Sequence, residues 1–278
     1  MTTIGRVLAG SRFFPIRSLA YHTTPERPIQ TDSARFSGIG RLYGDRALER
    51  LATSHVCVIG IGGVGSWTVE ALARTGVGTL TLVDLDDVCV HNTNRQLHTT
   101  TSAVGRPKVE VMAERVRAIS PGCDVRPVAD FFTASTAEDL LAPAYDHIVD
   151  AMDSANDKCR LIAHCWRVGR PVVTVGGVGG RRDPTRLTVG DLNKTARDRL
   201  LRRVRKVLRQ RFEMPRTRGK WRIPCVYSTE DPVLPEGLAH CGGTLDCDTG
   251  YGTASYVSGT AGLVAAGVVV DQLLASVE

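Results

Sequence analysis

The chain has 278 residues, 42% of them apolar and 5% aromatic, with 28 Gly, 13 Pro and 8 Cys. These values suit one large α/β domain or two small ones, and exclude a wholly disordered or collagen-like chain. The formal net charge of +6 conceals a cationic segment, residues 197–222, with 12 basic and two acidic side chains, followed by residues 223–278 with seven acids and no Lys or Arg.

Residues 1–25 carry Arg6, Arg12 and Arg17, several Ser and Thr, and no acid. That composition fits a mitochondrial transit peptide, a disordered bacterial leader or a misplaced start codon. The organisation read from it is a flexible leader over 1–34 and one domain over 35–278. The expected compartment is the cytoplasm, or the mitochondrion if the leader is a transit peptide. The eight cysteines lie far apart and none forms a C-x-x-C pair, so neither a zinc knuckle nor a disulfide scaffold is expected. Mostly buried thiols in a reducing compartment are the default.

The first strong signal is His55-Val56-Cys57-Val58-Ile59, an apolar run of the kind that forms a buried parallel strand. It leads into Gly60-Ile61-Gly62-Gly63-Val64-Gly65, then a helical stretch over 66–75, then the strand Thr79–Val83 ending at Asp84. Strand, Gly-rich turn, helix, strand and acid together predict a nucleotide site. The glycines let backbone N–H groups approach a phosphate, and Asp84 accepts ribose hydroxyls. A tight strand–helix turn without a ligand is the bland alternative.

Further along, Asp86 and Asn92 precede Arg95, and Pro107-Lys108 opens a helix with Val109, Met112, Ala113 and Val116 on one face. A strand at 147–150 ends in Ala151-Met152-Asp153, which the crevice rule for open α/β sheets places near the phosphates. Arg95, Lys108 and Asp153 are the candidate catalytic residues. The two cations would neutralise charge developing at the α-phosphate and pyrophosphate, and Asp153 would hold Mg²⁺. Candidate nucleotide contacts are Gly60, Gly62, Gly63, Gly65, Asp84, Asp86, Asn92, Arg95 and Lys108. Taken singly, Arg95 reads equally as a surface ion pair, Lys108 as a solvated helix residue and Asp153 as a helix N-cap.

Residues 171–175 predict another strand, followed by Gly176-Gly177-Val178-Gly179-Gly180, a flexible lip over the site and not a second nucleotide fingerprint. Residues 186–189 predict the next strand. From Ala196 the pattern turns helical, with Leu200, Val204, Val207 and Leu208 on one face. Arg202, Arg203, Arg205, Lys206 and Arg209 on that helix, with Arg216, Arg218 and Lys220 in the following loop, suit RNA phosphates, and Trp221 suits stacking on an unpaired base. A solvated amphipathic helix is the alternative. Cys225, beside this arm, reads better as a buried structural thiol than as a nucleophile or sulfur acceptor. The apolar stretch at 259–274, broken by Asp271, is too short and weakly hydrophobic for a membrane span and predicts a closely packed core or subunit-contact helix.

In their order along the chain, Gly60-x-Gly62-Gly63-x-Gly65, Asp84-x-Asp86, Asn92-x-x-Arg95-Gln96, Lys108 and Asp150-x-x-Asp153 resemble the E1-like adenylating enzymes, relatives of the ubiquitin activators. Within that superfamily the runs 35–44, 62–67, 87–96 and 225–230 most resemble the tRNA threonylcarbamoyladenosine dehydratases. The resemblance implies a Rossmann-like α/β fold, a mostly parallel sheet with helices on both faces. It also implies ATP and Mg²⁺ as cofactors, tRNA as substrate, a homodimer, and carboxylate adenylation followed by ring closure. A sulfur-relay partner is left open. Gly38 stands where ubiquitin-activator relatives have an arginine that crosses to the partner's site, leaving Arg35 or Arg41 for that role. An adenylyltransferase of a ubiquitin-like sulfur carrier is the nearest rival, although the C-x-x-C pairs of those enzymes are absent. An NAD-dependent oxidoreductase would use the same Gly-rich turn but leaves Arg95, Lys108 and Asp153 unexplained.

Overall fold

The structure, a computed structural model, describes residues 32–217, 219–234 and 251–275. Residues 1–31 of the expected leader, Arg218, and Cys241 and Cys247 lie outside the described residues. Three short helices, α1 (Asp32–Arg35), α2 (Ser37–Tyr43) and α3 (Asp45–Thr53), lead into β1 (His55–Ile59), α4 (Gly65–Thr75) and β2 (Thr79–Val83). Then come α5 (Lys108–Ile119), β3 (Asp124–Val128), α6 (Ala137–Leu141), β4 (His147–Asp150), α7 (Ala155–Val168) and β5 (Val172–Val175). The chain closes with β6 (Leu187–Asp191), α8 (Arg199–Arg211), β7 (Pro224–Ser228) and α9 (Ser255–Leu274).

Among the described residues the strands form one seven-stranded sheet in the order β3-β2-β1-β4-β5-β7-β6. All neighbours are parallel except β7 and β6. Because side chains alternate across a strand, β1 feeds two cores. Val56 and Val58 join α4, α5 and α9 on one side, while Cys57 and Ile59 join α7 and α8 on the other. This is the expected doubly covered α/β sheet, and it explains why β1 and β5 read as largely apolar runs.

Three strands depart from the sequence expectation. The segment around Cys225 forms β7, inserted between β5 and β6, and β6 runs over 187–191 in place of 186–189. Its residues, Pro224 to Ser228, alternate apolar and polar too weakly to announce a strand. The unforeseen β3 contains Pro127, tolerated because β3 pairs only with β2 and lies at the sheet edge.

Helix α9 has the length and apolarity to cross a membrane, but 56% of its most apolar window is buried in the fold. It lies close against α4 because glycine allows it. A Cβ at Gly262 would fall 2.5 Å from the Val64 carbonyl oxygen, and Thr68 Oγ1 donates to the Gly262 oxygen at 3.1 Å. The expectation of a closely packed core helix therefore holds.

Candidate active site

The C-terminal ends of β1, β2, β4 and β5 open onto one crevice of about 740 Å³. Its floor is the Gly-rich turn. Gly60 sits at φ +90, and a Cβ there would lie 2.9 Å from the Ala151 oxygen; at Gly65 it would lie 1.8 Å from the Gly60 oxygen. The fold itself demands those two glycines. Gly62 and Gly63 differ. A Cβ on them would meet only Gln96 Nε2 at 3.7 Å and Arg95 Cγ at 3.4 Å, ordinary or nearly ordinary contacts. The Gly62 and Gly63 amides donate to no acceptor among the described residues. Their bare backbone keeps open a cradle that a side chain would fill, as a phosphate site requires.

These distances separate two effects. Gly65→Ala should abolish soluble folded protein, because the clash is with backbone. Gly62→Val should keep the melting temperature within about 2 °C yet weaken nucleotide binding roughly ten-fold, the equivalent of one lost hydrogen bond. Thermal melts and equilibrium titration with ATP check both.

Asp84 is half-buried at the end of β2. Its Oδ2 accepts from the Ile61 amide at 2.7 Å, and its Oδ1 from the Asp86 amide at 2.9 Å. Burial raises its pKa above the usual carboxylate value, opposed by the charge of Lys108 and by these two amides. Lys108, the first residue of α5 and 5% exposed, places Nζ 2.7 Å from Asp86 Oδ2. Asn92 closes a short turn by accepting the Cys89 amide at 3.2 Å.

Arg95 donates through Nη1 to the His91 carbonyl at 2.8 Å and to Asn94 Oδ1 at 3.0 Å, leaving Nε and Nη2 without a protein acceptor among the described residues. Its own carbonyl is held by Trp67 Nε1 at 3.2 Å and Ser258 Oγ at 3.3 Å, which tie it to α4 and α9. Asp153 is exposed at the crevice wall and makes no protein hydrogen bond among the described residues. The N-cap alternative for Asp153 fails, since Ser154 caps α7. The crevice thus brings together Gly60, Gly62, Gly63, Asp84, Asp86, Asn92, Arg95, Lys108 and Asp153. Gly65 lies just behind it, at the start of α4.

The Gly-rich lip contributes Gly176 to Gly179 to the same crevice. Asp198, unforeseen in the sequence, anchors it. Its Oδ2 accepts from the Gly177 amide at 2.9 Å while its Oδ1 caps α8 through the Leu201 amide at 2.8 Å. A single buried carboxylate therefore joins the crevice lip to the basic helix. The inward face of α8 is Leu201, Val204 and Leu208; Leu200 turns toward the crevice instead.

On that helix Arg202, Arg203 and Lys206 are exposed, as are Arg216 and Lys220 in the following loop. Arg205 and Arg209 are half-buried and committed to the fold. Arg205 donates to the Leu192 carbonyl and to Thr195, and Arg209 donates to Asn193 and stacks 5.2 Å above the Trp221 ring. The expectation that Trp221 stacks on a base is overturned. Its indole is 4% exposed among Met214 and Ile223, and its Nε1 donates to the Pro215 carbonyl at 3.1 Å. Cys225, by contrast, is fully buried in β7, in keeping with the expected structural thiol, and burial pushes its pKa far above the usual value. Arg35 spends its guanidinium on the Ile119 carbonyl at 2.7 Å, and Arg41 is exposed.

The sequence profile of the ThiF family matches residues 37–276. The tRNA threonylcarbamoyladenosine dehydratase of Haemophilus influenzae is 46% identical over 249 residues, 88% of this chain and 95% of that protein. Its counterpart in Escherichia coli is 45% identical over 251 residues, 87% of this chain and 94% of that protein. The crystal structure of the E. coli enzyme in complex with ATP superposes with a TM-score of 0.81 at 44% identity, covering 88% of this chain and 96% of that one.

Proposed function

The chain belongs to the ThiF family, within the tRNA threonylcarbamoyladenosine dehydratases, and we propose that it uses ATP to cyclise N6-threonylcarbamoyladenosine in tRNA with net loss of water. The observation that carries this reading is the open cradle at Gly62 and Gly63, walled by two cations and a free carboxylate and joined through Asp198 to an exposed basic helix. A hydride-transferring site has no use for that combination.

In this mechanism the amides of Gly62 and Gly63 receive the nucleotide phosphates, and Asp84 accepts a ribose hydroxyl. An oxygen of the threonylcarbamoyl carboxylate attacks the α-phosphorus, and pyrophosphate leaves. Lys108 and Arg95 face the negative charge that grows on the α-phosphate and the departing pyrophosphate. A nitrogen or oxygen of the same side chain then attacks the activated carbonyl, giving up its proton and expelling AMP, which keeps the former carboxylate oxygen. Asp153 would hold Mg²⁺. That ion characteristically takes one or two carboxylates plus phosphate oxygens and water, and when bound it adds positive charge at the phosphates. Exposed Arg202, Arg203, Lys206, Arg216 and Lys220 hold the tRNA backbone. The strip of α9 bearing Tyr256 and Leu263, 56% and 50% exposed, supports pairing with a second copy of the chain. The cytoplasm is the proposed site of action.

The decisive experiment incubates the protein with ATP, Mg²⁺ and tRNA carrying threonylcarbamoyladenosine, then digests the tRNA to nucleosides. The expected product is one water lighter, with one AMP released per nucleoside converted. AMP release that depends on a diglycine-tailed carrier protein would overturn the reading. In the same assay, Arg202→Glu with Arg203→Glu and Lys206→Glu should raise KM for tRNA roughly ten- to a hundred-fold and flatten its salt dependence. ATP affinity should be unchanged.

A further inference from the structure

Behind the Gly-rich turn lies His98, 3% exposed, with Nε2 2.8 Å from the Ile61 carbonyl oxygen. A carbonyl only accepts, so Nε2 carries the proton and Nδ1 is left as a bare lone pair. Among the described residues Nδ1 indeed has no partner. Burial, with a contribution from Lys108, pushes the imidazole pKa down to about 4, so the ring is neutral at physiological pH. A leucine or methionine would fill this volume without an unsatisfied nitrogen. What the imidazole contributes in exchange is one hydrogen bond to the middle of the turn.

That bond has a directional consequence. Across a trans peptide the carbonyl of Ile61 and the amide of Gly62 point in opposite directions in one plane. Drawing the Ile61 oxygen inward to His98 therefore turns the Gly62 N–H outward, to the side where Gly62 lines the crevice. The preceding peptide is fixed as well, by the Ile61 amide on Asp84 Oδ2 at 2.7 Å. Ile61 is thus clamped at both its polar atoms, from β2 and from the segment following Arg95. That segment is in turn seated on α4 by the Leu97 amide on Ser66 Oγ at 3.2 Å.

We propose that His98 is a positioning residue for nucleotide binding, its Nε2–H holding the Ile61 carbonyl so that the Gly62 amide is aimed at a phosphate oxygen of ATP. The assignment rests on the ATP-dependent reading above, but its test reads nucleotide affinity directly and is independent of which carboxylate is adenylated. His98→Leu and His98→Met remove the donor at similar volume. His98→Gln keeps an N–H at a comparable reach.

With a non-hydrolysable ATP analogue, the two donor-less variants should bind roughly ten-fold more weakly than the wild type, and the Gln variant within about three-fold of it. In turnover, KM for ATP should rise in step while KM for tRNA stays fixed. Wild-type affinity in a folded donor-less variant overturns the assignment. So does a Gln variant as weak as the Leu variant, which would make the ring's shape, not its N–H, the contribution. Failure of both Leu and Met variants to fold would make His98 a residue of the core and also overturn it. Absence of ATP binding by the wild type would instead sink the functional reading on which the assignment rests.

Discussion

Lys108→Ala should lower the rate of AMP formation by about a thousand-fold, and Arg95→Ala by about a hundred-fold, with both variants still folded. Those magnitudes are typical for removing a fixed positive group from a site where charge develops. Folding should survive because neither side chain holds the structure together. Lys108 opens α5, at the end where the helix dipole is itself positive, and its side chain is 6% exposed. A cation buried there is disfavoured on both counts. Its one side-chain partner, Asp86, is 54% exposed and simply hydrates when the lysine is removed. Asp86 and Asp84 offset that cost and hold the ammonium at the crevice wall, where a polyanion would meet it. Arg95 uses one nitrogen to bind its own segment, so truncation there costs local order and little else. Rapid-quench measurement of AMP, with thermal melts of each variant, checks the expectation. Full activity in both would remove the phosphate-clamp assignment.

The path from sequence to this site was legible wherever burial was two-sided. β1, β2 and β4 stand out because both of their faces are covered, so no charged residue interrupts their interiors. The Gly-rich turn, Asp84 and Lys108 follow from that frame by spacing alone. Trp221 was misplaced for a related reason. The sequence places Trp221 in an open basic loop facing RNA, whereas Asp191 accepts the amides of Trp221 and Arg222 at 3.1 and 2.7 Å, folding the loop back onto α8. Pairing of that kind between residues 30 positions apart leaves no local signature. Asp198 and His98 were missed because each acts through a backbone atom of a distant turn, and no composition or periodicity announces such a bond.

Lys158→Met should be strongly destabilising, by about 3–5 kcal/mol. The lysine and Asp150 are both fully buried, with Nζ 3.0 Å from Asp150 Oδ1, and Thr174 Oγ1 donates to Asp150 Oδ2 at 2.6 Å. A signal for this pair did exist: Lys158 falls on the same stripe of α7 as Ala155, Cys159 and Ile162, where an apolar residue belongs. Removing only the lysine strands a carboxylate in the sheet with two hydrogen-bond donors and no counter-charge. For a chain of this size the loss corresponds to a fall in melting temperature of roughly 10 °C. Lys158→Met combined with Asp150→Asn should recover most of it, since a matched neutral pair carries no desolvation penalty for charge. The coupling measured by that double-mutant cycle decides between ionic and hydrogen-bonding accounts. If the double variant is as unstable as Lys158→Met alone, the lysine's contribution is its hydrogen bonds to the Asp150 carbonyl and Thr174 Oγ1. If it recovers, the buried charges hold each other. Because Asp150 Oδ1 also accepts the Met152 amide at 3.3 Å, the pair then fixes the turn that presents Asp153 to the crevice.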